Sequence, residues 1–401
     1  MIKKVSLLGG SFVLLFTLNL FNLLNFIFNV LMARTLSLSE YGELTVLTNI
    51  ILIFAIFSET IQTIITKYLF SNTSEGQTKS LLKISLRKAF SISVLVYLCF
   101  LVVSFILSPL LNINYLHLAL AGLIIIFSFV LPIPRGILQG KQRFLALGFN
   151  FISEGFFKLV FSLLFLLIGL RVGGALLGML FGLSASFIFS LLLMSKTLKS
   201  KEIKAKVSGI YNYSKPVFFI NLAIVLFLSL DMILAKMFFS SEVAGAYAIA
   251  STIAKMIFIG TQPLSKAFFP ISVATKEGEK SSLLFIKGMF YLSVILALAL
   301  IILWLFPGLI ISLYSGREIL AASSILLYLG IAICLLSYTS LLLMYHLSKG
   351  TLKRTYLLLL PILVQIVLLS VFSSNLLTFS LALITSSAFF FWCATFFGRE
   401  R

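Results

Sequence analysis

"NVLMARTLSLSE", residues 29–40, recurs 202 positions later as "DMILAKMFFSSE", residues 231–242. The offset aligns Ala33 with Ala235, Arg34 with Lys236, Ser39 with Ser241 and Glu40 with Glu242. The same shift aligns Asn19 with Asn221, Glu75-Gly76 with Glu277-Gly278, and "SLL" at 80–82 with "SLL" at 282–284. Several matches at one offset, itself half of the 401-residue chain, mark an internal duplication. Each copy closes a long apolar run and turns on a short polar segment, as the end of a membrane-crossing helix does.

Runs of this kind fill the chain. Sixty per cent of the residues are hydrophobic and only 11% are charged, against about a quarter in soluble domains. The mean hydropathy is +1.15. Apolar segments of about 20 residues each suffice to cross a hydrocarbon core of about 30 Å, and the alternating short segments of a β-barrel are absent. Twelve spans are expected, near 8–33, 44–69, 89–108, 115–138, 145–170, 173–194, 213–239, 244–269, 286–306, 319–346, 354–373 and 376–397. Six lie in each copy of the repeat, so both halves enter the membrane in the same direction. The expected fold is an all-α polytopic membrane protein of two parallel six-helix lobes. Parallel halves are a transporter architecture, with a site near the bilayer midplane.

Basic residues orient these spans. With the N-terminus inside, loops 79–88, 135–143, 196–206, 276–287 and 349–354 and both tails fall on one side. Only Arg34, Arg171, Lys236 and Arg317 fall on the other. The bias places both termini in the cytoplasm, and it accounts for the net charge of +19 without nucleic acid. The first apolar run continues to Ala33 without a small-residue cleavage site, so it reads as an uncleaved helix. The longest polar stretch lies at mid-chain. The expected division is an N-terminal lobe at 1–195, a cytoplasmic linker at 196–212 and a C-terminal lobe at 213–401. Cys99, Cys334 and Cys393 all fall within apolar runs and read as packing residues. His117 and His346 have no ligand cluster around them, so no metal site is expected.

Ionisable side chains inside a bilayer cost about 2.5–3.5 kcal/mol each and are functional candidates. Five stand out: Glu59, Glu154, Lys158, Asp231 and Lys255. Lys158 and Lys255 fall near mid-membrane, one in each half, and together would make a positive chamber for a pyrophosphate or acidic sugar. The bland alternative is a snorkelling or locally paired lysine. Glu154 precedes Lys158 at the favoured i,i+4 spacing and is its expected partner. Asp231 has no cation three or four residues away; with Glu59 it is a candidate for binding a coupling Na+ or H+, or else for pairing with Lys236. Asn19, Asn22, Asn25 and Asn29 fall within an arc of about 120° on the first helix. That amide stripe suits sugar hydroxyls, and equally suits hydrogen bonding between helices. Arg34 and Lys236 occupy matching positions at the outer rim, where they meet lipid headgroups or form a gate.

Three stretches carry a family resemblance. "MARTLSLSEYGELTVL" at 32–47, "RGILQGKQRF" at 135–144 and "LDMILAKMFFSSEVAGAYAIAS" at 230–251 resemble the polysaccharide transporters and lipid-linked O-unit flippases. These belong to the multidrug/oligosaccharidyl-lipid/polysaccharide exporter superfamily. The resemblance implies a V-shaped, MATE-like pair of lobes around a central cavity. The implied activity is alternating-access transfer of an undecaprenyl-pyrophosphate-linked oligosaccharide across a bacterial cytoplasmic membrane, for O-antigen, capsule or exopolysaccharide synthesis. The family's fifth helix often carries a basic residue, here matched by Lys158. No cofactor or catalytic residue is implied; a polysaccharide polymerase is a candidate partner of a monomeric chain.

Competing functions separate on these residues. A major facilitator would carry a Gly-Asp-Arg-type loop where this chain reads "SNTSEGQTKSLLK" at 71–83. An ion-coupled multidrug exporter of the same fold is the alternative, but its pocket should be aromatic and acidic rather than cationic. A membrane-embedded polymerase or ligase should carry a sizeable outer loop, and residues 170–173 and 373–375 are barely turns.

Overall fold

The protein is described from a computed structural model, over residues 7–69, 74–204, 215–274, 279–349 and 354–397. The described residues form helices and short connections only. The first half runs α1 (Leu7–Thr35), α2 (Leu38–Leu69), α3 (Glu75–Leu111), α4 (Tyr115–Val130), α5 (Pro132–Gly140), α6 (Phe144–Leu167), α7 (Arg171–Leu193) and the short α8 (Ser195–Lys199). The second runs α9 (Lys215–Phe238), α10 (Ser241–Ala274), α11 (Glu279–Leu305), α12 (Pro307–Ser315), α13 (Leu320–Ser348), α14 (Leu360–Val371) and α15 (Leu376–Phe397).

Eleven of these helical stretches are long and apolar enough to cross a membrane. The expected span at 354–373 is built differently. A 3-10 turn, Thr355–Leu359, leads into α14, with Pro361 at the helix start where its missing N–H costs nothing. At about 2.0 Å and 1.5 Å per residue the two parts cover roughly 28 Å, close to one hydrocarbon core. The expected span at 115–138 is interrupted between α4 and α5, where Pro132 and Pro134 remove two ladder donors. The chain is a multi-pass membrane protein of the expected all-helical class.

Several helices outrun their spans. The α3 helix has 37 residues and starts at Glu75, not near residue 89. A capping box fixes that start: the Ser74 hydroxyl accepts from the Gln77 N–H while the Gln77 side chain accepts from the Ser74 N–H. Lys79, Lys83, Arg87 and Lys88 mark the edge of the membrane rather than the end of the helix.

The chain divides into two compact units, Met1–Leu36 with Ile50–Ser214, and Ser37–Asn49 with Lys215–Arg401. In the first unit α6 and α7 touch backbone to backbone. A Cβ on Gly178 would stand 1.9 Å from Ser162 Oγ, and one on Gly182 2.9 Å from the Glu154 carbonyl. Small residues at such crossings replace the hydrophobic drive that lipid does not supply. The first part of the expected linker also belongs to this unit. Thr197 donates to Glu75, Lys79 donates to the Ser200 carbonyl (2.9 Å), and the Ile203 N–H donates to the Gly76 carbonyl (3.2 Å). Residues 205–212 of that linker lie outside the described residues.

The second unit contains the opening turns of α2. A Cβ on Gly245 at the start of α10 would fall 1.9 Å from the Leu38 carbonyl. Beside this crossing the buried hydroxyls of Tyr41 and Tyr314 hydrogen-bond at 2.8 Å. Both units also carry many large apolar side chains outward, Leu167 at 84% and Leu320 at 85% exposure among them. A surface of this kind is solvated by lipid rather than water.

Candidate functional site

Among the described residues, each unit encloses a buried centre that holds charged side chains. In the first, α5 delivers Arg135, α6 delivers Asn150 and Glu154, and α7 delivers Ser186. Arg135 was expected on a cytoplasmic loop; the proline-started helix α5 instead turns it inward, to 7% exposure. Its Nε donates to Asn150 Oδ1 at 2.7 Å, and its Nη2 donates to Ser186 Oγ at 3.0 Å and to Glu154 Oε2. Asn150 closes the circuit by donating to the Ser186 carbonyl at 2.7 Å. The guanidinium plane lies over Phe151, 4.1 Å from the ring centroid. An isolated charge in such a site would be expensive, so the fork is held by a carboxylate, an amide and a hydroxyl.

This arrangement corrects the expected pairing of Glu154 with Lys158. The carboxylate is taken by Arg135, whose fork also binds Asn150 and Ser186, groups a lysine ammonium cannot hold in one plane. Lys158, one turn further along α6, is buried at 9% exposure. Its ammonium donates to Asn25 Oδ1 on α1 and lies 4.4 Å from the centroid of the Phe28 ring. Both partners are uncharged. A ring face attracts a cation weakly, by about 0.5–2 kcal/mol.

The second centre lies between α9 and α10. Asp231 is 1% exposed. Its Oδ1 accepts from Lys255 Nζ at 2.8 Å, and its Oδ2 accepts from Tyr247 and Ser251, both at 3.0 Å. Asp231 is therefore not the isolated carboxylate its local sequence suggested. Its cation comes from 24 residues away on the neighbouring helix, at 2.8 Å. Nor does it pair with Lys236, which donates to Ser241 Oγ at 2.8 Å. Lys236 is buried at 4% exposure, which corrects its placement at a headgroup-facing rim. The repeat mate Arg34 is exposed, so matching sequence positions have unlike surroundings.

The amide stripe divides. Asn25 and Asn29 are half-buried, and Asn25 holds Lys158. Asn19 and Asn22 are exposed, on the same arc as the exposed Leu15 and Phe26. The Asn19, Asn25 and Asn29 amides each donate to the carbonyl four residues earlier, at 2.9–3.1 Å. Glu59 is exposed on α2. Among the described residues no group of three His, Cys, Asp or Glu could hold a metal ion.

The fold is that of the MOP superfamily of transporters. A MOP superfamily transporter from Pyrococcus furiosus superposes with a TM-score of 0.64 at 12% identity, covering 99% of this chain and 94% of its own. An outward-facing multidrug resistance MATE family transporter gives 0.65 at 12% identity, with 99% and 97% covered. A Vibrio cholerae MATE transporter gives 0.63 at 14% identity, with 99% and 96% covered. Curated protein sequences give no match. The family itself is shown by residues 7–276, which match the profile of polysaccharide biosynthesis proteins. The chain belongs to that family.

Proposed function

We propose that this protein is a transporter that flips a polyprenyl-pyrophosphate-linked oligosaccharide from the cytoplasmic to the outer leaflet for surface polysaccharide synthesis, by alternating access. The observation that carries this reading is Lys158. It is a buried cation near the middle of α6 held by an amide and an aromatic ring, while the nearby carboxylate is committed to Arg135. Such an ammonium gains most from an anion that arrives from outside, and a pyrophosphate supplies one. The exposed Asn19 and Asn22 on α1, the helix that carries Asn25, are suited to sugar hydroxyls. The oligosaccharide headgroup enters the protein while the polyprenyl tail stays in the bilayer. The orientation in this reading is termini inside, in the cytoplasmic membrane.

Asp231 is already neutralised by Lys255, so this reading assigns the pair to the architecture of its unit rather than to ion coupling. Drug export in the same fold is the weaker reading, because a cationic drug would have to displace Lys255 from the acid it already neutralises.

The test is transfer of a fluorescent lipid-linked oligosaccharide in proteoliposomes. Lys158→Met is expected to lower the rate at least tenfold with normal protein in the membrane, and Lys158→Arg to retain part of it. Full activity of Lys158→Met would overturn the assignment of the site. Transport of cationic drugs without any lipid-linked glycan would overturn the function.

A further inference from the structure

Arg135 enters the first unit on a helix that is seated firmly. Gly136 and Gly140 set α5 directly on α2: a Cβ on Gly136 would stand 2.9 Å from the Gln62 carbonyl, and one on Gly140 2.9 Å from the Thr66 carbonyl. Two side-chain bonds tie the same crossing. Gln62 Nε2 donates to Gln139 Oε1 at 2.7 Å, and Thr66 Oγ1 donates to the Gly136 carbonyl at 3.2 Å. Small residues four apart allow this close approach, which fixes the point from which Arg135 reaches α6.

The α6 helix meets the guanidinium with a polar line. Asn150, Glu154 and Lys158 recur at every fourth residue and fall within an arc of about 80°. The backbone between them is held on two sides. A Cβ on Gly182 of α7 would stand 2.8 Å from the Lys158 backbone nitrogen, and one on Gly155 would stand 2.9 Å from Leu24 Cδ1 of α1. The turn from Glu154 to Lys158 is therefore fixed, and side-chain torsions alone decide which cation the carboxylate serves. It holds Arg135, while Lys158 lies one turn along at the spacing that favours an ion pair.

We propose that Arg135 is a positioning residue for the transported anion: by holding Glu154 it keeps that carboxylate off Lys158 and leaves the ammonium for the pyrophosphate. This rests on the reading of Lys158 as the headgroup cation. A guanidinium suits the task because its fork also takes Asn150 and Ser186. Its plane lies on Phe151, whose ring is backed by Phe21 of α1 at 5.5 Å between centroids. Without Arg135, Glu154 turns to Lys158, and an arriving anion must first displace a carboxylate.

Two measurements on the full chain test this role. The first needs no substrate: unfolding of Glu154→Gln, Lys158→Met and the double variant in detergent gives the factor by which the two side chains are coupled. With Arg135 present that factor is expected within about threefold of one, the range of groups that do not pair. In an Arg135→Gln background it should reach about tenfold or more, as close charge pairs do. A factor that stays near one there overturns the proposal and leaves the assignment of the anion to Lys158 standing. The second measurement is transfer in proteoliposomes. Arg135→Gln should raise the concentration of lipid-linked oligosaccharide for half-maximal transfer about tenfold and keep most of the maximal rate, the mark of weakened binding. Arg135→Gln/Glu154→Gln should reverse most of that rise. A fall in maximal rate with no change in half-maximal concentration would make Arg135 a brace of the fold and overturn the proposal. Coupling that rises while the half-maximal concentration stays would overturn both the proposal and the assignment of the anion to Lys158. Should Arg135→Gln not reach the membrane, Arg135→Lys decides: it keeps a cation for Glu154 but not the fork, so a rise of about threefold, removed by Glu154→Gln, is expected. No rise in that variant would equally overturn the proposal.

Discussion

The two buried lysines, Lys158 on α6 and Lys255 on α10, are alike in sequence and opposite in surroundings. Both follow an acid in chain order and both fall near the middle of an apolar helix. Lys255 completes the coordination of Asp231 and belongs to the architecture of its unit. Lys158 rests on Asn25 and Phe28, and the acid it would have used is committed elsewhere. A charge satisfied by a charge is structural; a charge satisfied only by neutral groups is available. The first should matter mainly to stability and the second mainly to transport, and substitutions can separate the two.

The largest effect is expected at the saturated pair. Lys255→Met leaves Asp231 buried with two hydroxyls and no cation, and removal of one member of a buried pair costs about 3–5 kcal/mol. Unfolding in detergent should show that loss, and Asp231→Asn/Lys255→Met should recover most of it. If the double variant is no more stable than Lys255→Met alone, the pair is not the unit described. Arg135→Met should cost somewhat less, about 2–4 kcal/mol, because the Glu154 side chain keeps 14% exposure and can reach a polar neighbour. At Lys158 the order reverses. Lys158→Met exchanges a buried ammonium for an apolar chain of similar volume, so stability should stay within about 1 kcal/mol or rise. A loss above about 2 kcal/mol would make Lys158 as structural as Lys255 and dissolve the contrast.

The spans and the duplication were legible because they rest on runs of like residues and a constant offset, which need no tertiary contact. The partners of the charged groups were not. Glu154 and Lys158 satisfy the local i,i+4 rule, yet Arg135, 19 residues away, takes the carboxylate because α5 folds back beside α6. Lys255 reaches Asp231 only when α9 and α10 lie side by side. A count from the sequence does not signal the outcome, because Glu59, Glu154 and Asp231 balance Arg135, Lys158 and Lys255; only the exposure of Glu59 and the burial of Arg135 leave one cation over. What hid it was the position of Arg135, just after "LPIP" at 131–134, where a membrane edge is the natural reading. The mismatch of Arg34 and Lys236 has a similar origin, since duplicated sequence does not guarantee duplicated packing.

The smallest effects, on stability, belong to the amides of α1, and they bear on which side of the contrast that helix falls. Asn19 donates to the Leu15 carbonyl of its own helix at 2.9 Å, and its side chain is exposed. An amide used as glue between membrane helices contributes on average about 0.6 kcal/mol. Asn19→Ala should fall below that, because its bond back to the same helix is replaced without leaving a partner unsatisfied, and Asn22→Ala should as well because its side chain is exposed. Asn25→Ala should exceed both, since it takes away the carbonyl that holds Lys158. If the two exposed amides bind glycan, their removal should raise the concentration of lipid-linked oligosaccharide needed for half-maximal transfer while unfolding stays unchanged. A stability loss above about 1 kcal/mol at Asn19 would instead place that amide with the structural groups, beside Asp231 and Lys255.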